Sequence, residues 1–186
     1  MEHHITLPLT REKASAIAAG DTVYLNGVLY TARDAAHKRL VELLDAGKAL
    51  PFPVEDAVLY YVGPTPAAPG QIIGSAGPTT SYRMDAYTPK LLNAGLRGMI
   101  GKGKRSAEVV RAMKQAGAIY LGAIGGAGAL LSDCIKAAEI IAFEDLGTEA
   151  VRRLTVTNFP TVAIIDRNGA NLYVTGREDY LTRGKP

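Results

Sequence analysis

The apolar residues of this chain come in short runs, each cut off by glycine or proline, and no run is long enough to cross a membrane as a helix. Residues 58–62, 72–76, 118–123, 135–143, 151–157 and 161–166 are rich in branched and aliphatic side chains and read as buried strands. Segments with helical spacing lie between them. About four helices among many short strands predict a mixed, layered α/β domain rather than a regularly alternating parallel sheet. With 186 residues and 47% hydrophobic side chains, the chain can build a substantial core as one domain spanning 1–186.

Local signals place the elements. Thr10 caps a short helix that Gly20 ends, and residues 21–31 alternate around Asn26-Gly27, the strongest two-residue hairpin signal. Thr31-Ala-Arg-Asp34 has the form of a capping box. Ala36, Leu40, Leu43 and Leu44 then recur at helical spacing up to Gly47, so Arg33 falls in a first helical turn, where free N–H groups favour an anion. After the 72–76 run comes Gly77-Pro-Thr-Thr-Ser-Tyr-Arg83-Met-Asp85, a loop or single turn, and Pro89 opens a short helix closed by Gly95. Residues 98–103 lead into a helix over about 106–115 that Gly117 stops, which puts Lys102 in a strand-to-helix crossover. Gly125-Gly-Ala-Gly128 predicts a flexible turn, and Asn168-Gly169 turns the chain into a last strand over 171–175.

Composition narrows the function. Cys134 is the only cysteine, so the chain forms no internal disulfide and holds neither zinc nor an iron–sulfur cluster through cysteines of its own; no metal ligand is assigned to it. The start, Met1-Glu-His-His-Ile-Thr-Leu-Pro, lacks the basic and then apolar pattern of a secretory leader, and a cytoplasmic location is expected. Net charge is +3, and between residues 97 and 114 stand Arg97, Lys102, Lys104, Arg105, Arg111 and Lys114 against Glu108 alone. That stretch has no aromatic residue to stack on bases, so no nucleic-acid partner is expected.

Two glycine patterns resemble nucleotide loops and depart from them. Gly98-x-x-x-x-Gly103-Lys104 carries Arg105 where a hydroxyl must reach magnesium. Gly122-Ala-Ile-Gly125-Gly126-Ala-Gly128 is followed by Leu131 where a third glycine belongs. Both read better as turns and close packing, with a non-catalytic nucleotide-binding module kept as the contrasting function.

Residues 77–85 carry the sharper chemistry. Thr79, Thr80 and Ser81 followed by Arg83, on a loop after a strand, gather donors where α/β folds hold ligands. A blander reading has the hydroxyls capping a turn and Arg83 paired with Asp85 at the surface. Arg33 and Lys102 also lie at loop-to-helix junctions, and such cations beside hydroxyls suit a small dicarboxylate: arginine grips one carboxylate in a fork and lysine supplies a point charge. His37 lies one helical turn beyond Arg33 and on its face.

Arg33-Asp-Ala-Ala-His37-Lys-Arg, Gly77 through Asp85 as spelled above, Ile100-Gly-Lys-Gly103 and Phe143-Glu-Asp-Leu-Gly-Thr-Glu-Ala150 together resemble the β subunit, or C-terminal domain, of class I iron–sulfur fumarases and L-tartrate dehydratases. The resemblance runs in the same order over nearly the whole chain. It implies a swivelling β/β/α fold with mixed sheets, and a hydro-lyase that interconverts fumarate and L-malate, or alternatively converts tartrate to oxaloacetate. It also implies an α subunit whose three cysteines hold a [4Fe-4S] cluster, in an αβ or α2β2 assembly. By the same resemblance Arg33, Arg83 and Lys102 hold substrate carboxylates, Thr79 and Thr80 contact substrate, and Thr79 transfers a proton together with an acid on the α subunit. His37 and Asp85 are expected to orient the cations.

Overall fold

The alternation inside each short strand is what builds this fold. Val58, Tyr60 and Val62 point to one core, while Leu59 and Tyr61 point to another. In the computed structural model, which describes residues 1–124 and 126–183 (the side chains of 177–179 and 183 excepted), the elements follow as β1 (Glu2–Thr6), α1 (Arg11–Ser15), β2 (Thr22–Thr31), α2 (Asp34–Asp45), β3 (Val58–Tyr60), α3 (Thr88–Asn93), β4 (Gly98–Gly101), α4 (Ala107–Ala116), β5 (Ile119–Gly122), α5 (Gly128–Asp133), β6 (Ile135–Ala142), β7 (Val151–Ile165) and α6 (Leu172–Arg183). Tight helical turns at Ser81–Met84 and Glu144–Glu149 complete the list.

The strands join in the order β1-β2-β3-β4-β5-β7-β6, and a further β2–β7 pairing shuts β2, β3, β4, β5 and β7 into a closed ring. Strands β2 to β5 run parallel, and β7 is antiparallel to both β2 and β5. The ring holds an inner core that includes Leu25, Leu29, Val58, Tyr60, Ile100, Leu121 and Phe159. Helices α2, α3 and α4 cover its outside through Ala36, Leu40, Leu91, Leu92, Val109 and Met113. The expected mixed α/β layering is therefore present, with the sheet closed on itself.

Several local expectations are met because their hydrogen bonds are local. Thr10 accepts from Lys13 N, Ser106 accepts from Val109 N, and Gly117 ends α4 in the left-handed region. Others give way to long-range pairing. Asn26-Gly27 is not a hairpin: β2 continues through it, and Gly27, at φ +111°, makes an irregularity against β7 while Leu7 packs 3.4 Å from where its Cβ would stand. There β2 changes neighbours, pairing with β1 along residues 22–26 and with β3 at Tyr30 and Thr31.

The capping box is also not formed. Thr31 instead donates to Ala150 O and accepts from Arg152 N, and the helix begins two residues later with Arg33 as its N-cap, extended at φ −110°. Residues 72–76 form no strand; Ile73 and Ala76 pack into the inner core, and the Tyr60 hydroxyl donates to Ala76 O. The two expected strands over 151–166 are one strand, β7, that carries Pro160 in its middle. The expected last strand over 171–175 is the start of helix α6. Of the 125–128 turn, Gly125 lies outside the described residues, and Gly128 opens α5.

Tyr60 meets Phe159 edge to face at 5.2 Å in the inner core, joining β3 to β7 across the ring. Phe159→Ala should therefore lower stability by about 3–5 kcal/mol, the usual scale for an emptied aromatic site, read as a lower urea midpoint with an unchanged slope.

Candidate functional site

Parallel strands deliver their following loops to one rim, the place where open α/β sheets commonly bind ligands. Arg33 follows β2, residues 61–85 follow β3, and Lys102 follows β4. Strand β6 runs antiparallel to β7, as β2 does, so the turn Glu144–Glu149 after it reaches the same rim.

Backbone lacing sets the hydroxyls beside the lysine. Thr79 N and Thr79 Oγ1 both donate to Tyr61 O, at 2.8 and 3.0 Å. Lys102 N donates to Thr79 O, Ser81 N donates to Lys102 O, and Thr80 bridges Lys102 in parallel register. Lys102 is exposed, and among the described residues no carboxylate pairs with its ammonium within 4 Å. The two arginines meet through an acid. Asp34 Oδ1 stands 3.8 Å from Arg33 Nη2 and 3.7 Å from Arg83 Nη1, and it has no hydrogen-bond partner of its own. On its other side Arg33 pairs with Glu149 at 3.1 Å.

Arg33 packs against Gly63. A Cβ at position 63 would stand 2.8 Å from Arg33 Nη1, so only glycine leaves the guanidinium room where it is. Arg33, Arg83, Lys102, Thr79 and Thr80, far apart in sequence, are thus held on one rim and linked by Asp34 and by the 79–102 backbone ladder.

His37 and Asp85 take specific places beneath. His37 is fully buried; its Nδ1–H donates to Arg33 O at 2.9 Å, and its ring lies edge-on to Tyr61 at 5.1 Å. It holds the Arg33 backbone rather than the guanidinium. Burial lowers its pKa to about 4; the bond to Arg33 O and the nearby Asp34 act the other way, and Arg105 adds to the lowering.

Asp85 touches Arg105, not Arg83. Its Oδ1 accepts from Arg105 Nε at 2.7 Å and its Oδ2 from Ser106 N at 2.6 Å. Arg105, with a side chain 0% exposed, lies over the rings of Tyr61 and Tyr120 at 5.3 and 5.1 Å and donates to Thr88 Oγ1. Burial opposes its charge, but Tyr61, Asp85 and Tyr120 outweigh that and raise its pKa.

These contacts bear on the first glycine pattern. Residues 98–101 are strand β4, bonded to β3 and β5 on its two sides, so its N–H groups are not free to cradle a phosphate, and Arg105 is buried below the rim. Sequence reasoning passed over Asp34, Gly63, Arg105 and Glu149 as site residues. Asp34 and Glu149 stood inside the motifs that carried the resemblance, but no local signal pairs residues 33 and 149.

Removing Asp85 strands a buried cation. Asp85→Ala should cost about 3–5 kcal/mol of stability, measured by denaturant unfolding. His37 sets a pH dependence. Its folded pKa lies below the unfolded value of 6.5, so the unfolded chain binds the extra proton first and stability falls as pH drops through the window from 6.5 toward 4. From pH 7 to pH 5 the loss should be on the order of 2 kcal/mol, and His37→Gln should remove that part of the slope.

Comparison with known proteins shows the family. The profile of the family described as Fumarase C-terminus matches residues 2–176. Fumarate hydratase 2 of Leishmania major is 40% identical over 165 residues, covering 88% of this chain and 29% of that protein. The anaerobic class I fumarate hydratase of Escherichia coli K12 is 41% identical over 80% of this chain and 28% of its own length. The chain thus spans less than a third of these relatives. A putative L(+)-tartrate dehydratase subunit beta of Methanocaldococcus jannaschii, 35% identical over 171 residues, is matched over 89% of this chain and 88% of its own length. Matched from residue 2 to residue 176 and aligned with a relative over most of both lengths, this chain belongs to the fumarase C-terminal family.

Proposed function

We propose that residues 1–186 form the substrate-gripping small half of a hydro-lyase for a four-carbon dicarboxylate, with fumarate and L-malate as first choice. The observation that carries this reading is the gathering of Arg33, Arg83 and Lys102 beside Thr79 and Thr80 on one rim. L-tartrate dehydration is the second reading. It is favoured by the tartrate dehydratase subunit beta, whose length this chain matches.

Charge develops on a carboxylate when a proton leaves the carbon beside it, and cations already fixed in place stabilise that charge without reorganising. Arg83 would offer a planar fork to a carboxylate and Arg33 the terminal nitrogen that Glu149 leaves free, while Lys102 would supply an unpaired charge at the exposed lip. Thr79 is the residue proposed to carry the proton. Its oxygen would act as an alkoxide favoured by the neighbouring cations; taking the substrate proton would turn it into the hydroxyl, which donates to Tyr61 O as it does in this structure. Thr80 would contact substrate, with His37 and Asp85 holding the frame beneath.

This chain's own residues do not fit an iron–sulfur cluster. Cys134 is its single cysteine, and among the described residues no group of three His, Cys, Asp or Glu side chains is placed to hold a metal ion. The proposed [4Fe-4S] cluster belongs to an α subunit, in an αβ or α2β2 assembly. Among the described residues no helix is long and apolar enough to cross a membrane, and a cytoplasmic location is part of the proposal.

The test is reconstitution. The isolated chain should show no hydratase activity, and activity should appear when an iron–sulfur partner is added anaerobically; robust turnover by this chain alone rejects the division of labour. In the active complex, Arg83→Lys keeps the charge and loses the fork, so kcat/KM should drop by roughly tenfold to a thousandfold. Near-normal kinetics would take Arg83 out of the site.

A further inference from the structure

The motif over residues 143–150 takes no part in the chemistry above, yet it is elaborately fixed. Two residues have positive φ, one just before its turn and one inside it: Phe143 at φ +56° and Gly147 at φ +58°, ψ −113°. Arg39 of α2 grips Asp145 with two hydrogen bonds, 2.7 and 2.5 Å, and lies over the Phe143 ring at 5.3 Å. From the other side Arg152 donates to Gly147 O, Thr148 O and Ala150 O at 3.0 to 3.2 Å. The Thr31 hydroxyl ties Ala150 O to the end of β2.

All of this restrains one carboxylate. Glu149 Oε2 accepts from Ala35 N at 3.2 Å, supplying the side-chain cap that α2 lacks because its N-cap is Arg33. Glu149 Oε1 meets Arg33 Nη2 at 3.1 Å. The grip takes one terminal nitrogen only; Nη1 lies over Gly63 and Nε has no partner. One end of the guanidinium is thereby anchored to the helix start; Nε is itself buried, and Nη1 is the nitrogen left for another acceptor.

We infer that Glu149 is a positioning residue that sets the plane and reach of Arg33 for a substrate carboxylate. The inference rests on the dicarboxylate reading of the rim. Its charge works in the opposite direction, because an anion beside Arg33 repels an incoming carboxylate. The sign of the change in KM therefore separates alignment from simple repulsion.

The experiment uses the partner-reconstituted complex with fumarate and L-malate. Glu149→Gln keeps the size and the acceptor for Ala35 N but removes the charge that holds Arg33. KM should rise by about tenfold to a hundredfold, the scale of a misplaced binding group, with kcat within about threefold. In an Arg33→Ala background the same change should add nothing, because Glu149 acts through Arg33. A lower or unchanged KM overturns the inference, as does a fall in kcat alone, the mark of a smaller folded fraction. A second arm needs no turnover: in the isotopically labelled full chain, the Arg33 Nε–H signal should lose protection from solvent exchange in Glu149→Gln, and an unchanged signal also overturns it. Failure of the unsubstituted complex to act on any dicarboxylate would reject the reading of the rim instead, leaving the second arm to decide the Arg33 contact.

Discussion

The Arg105 guanidinium is the interaction on which the rim depends. A charge with no exposed surface persists only if each of its faces and edges is satisfied, and here the faces go to Tyr61 and Tyr120 and the edges to Asp85 and Thr88. Those partners come from the end of β3, from β5, from the turn that carries Arg83 and from the first residue of α3. One buried cation thus ties the loop after β3 to the strands beneath it. The same Asp85 also caps α4 at Ser106, so the loop, the helix and the cation are fixed together.

Above that foundation charges alternate. Glu149, Arg33, Asp34 and Arg83 stand in a row of opposite signs with neighbouring atoms 3.1 to 3.8 Å apart, which keeps two guanidinium groups side by side that would otherwise repel. Only the first of these contacts is close enough to bond. The looser separations around Asp34 leave its buried Oδ1 without a donor, an arrangement that favours rearrangement toward a better partner.

What could be read from the sequence was whatever closes within a few residues. The cap at Thr10, the start of α4 beside residue 106 and the short helix after Tyr87 follow from bonds or fixed dihedrals inside one turn. The misreadings share the opposite property. Asn26-Gly27 has the chemistry of a hairpin, but β7 pairs along β2 on both sides of it and keeps the strand extended. Thr31 has the chemistry of a cap, but its hydroxyl is spent on residues 150 and 152. For the site, Arg33, Arg83 and Lys102 were visible as cations at loop ends; the acids that space them were not, because Glu149 reaches Arg33 only after the ring has closed. Arg105 looked like a surface base in a basic stretch, and its burial follows from two tyrosines in distant strands.

The closed ring also has a consequence for how the chain comes to be folded. Strand β2 gains its β7 neighbour from residues more than a hundred positions later, so the wall made first waits for the wall made last. During synthesis, β2 to β5 can align with one another, yet the seam between β2 and β5 stays open until residue 165 has emerged. An opening of that kind offers unpaired backbone and the inner core's aliphatic side chains to any neighbouring chain. The seam of the newborn chain therefore closes only when β7 arrives, and until then its edges are the part most exposed to wrong pairing.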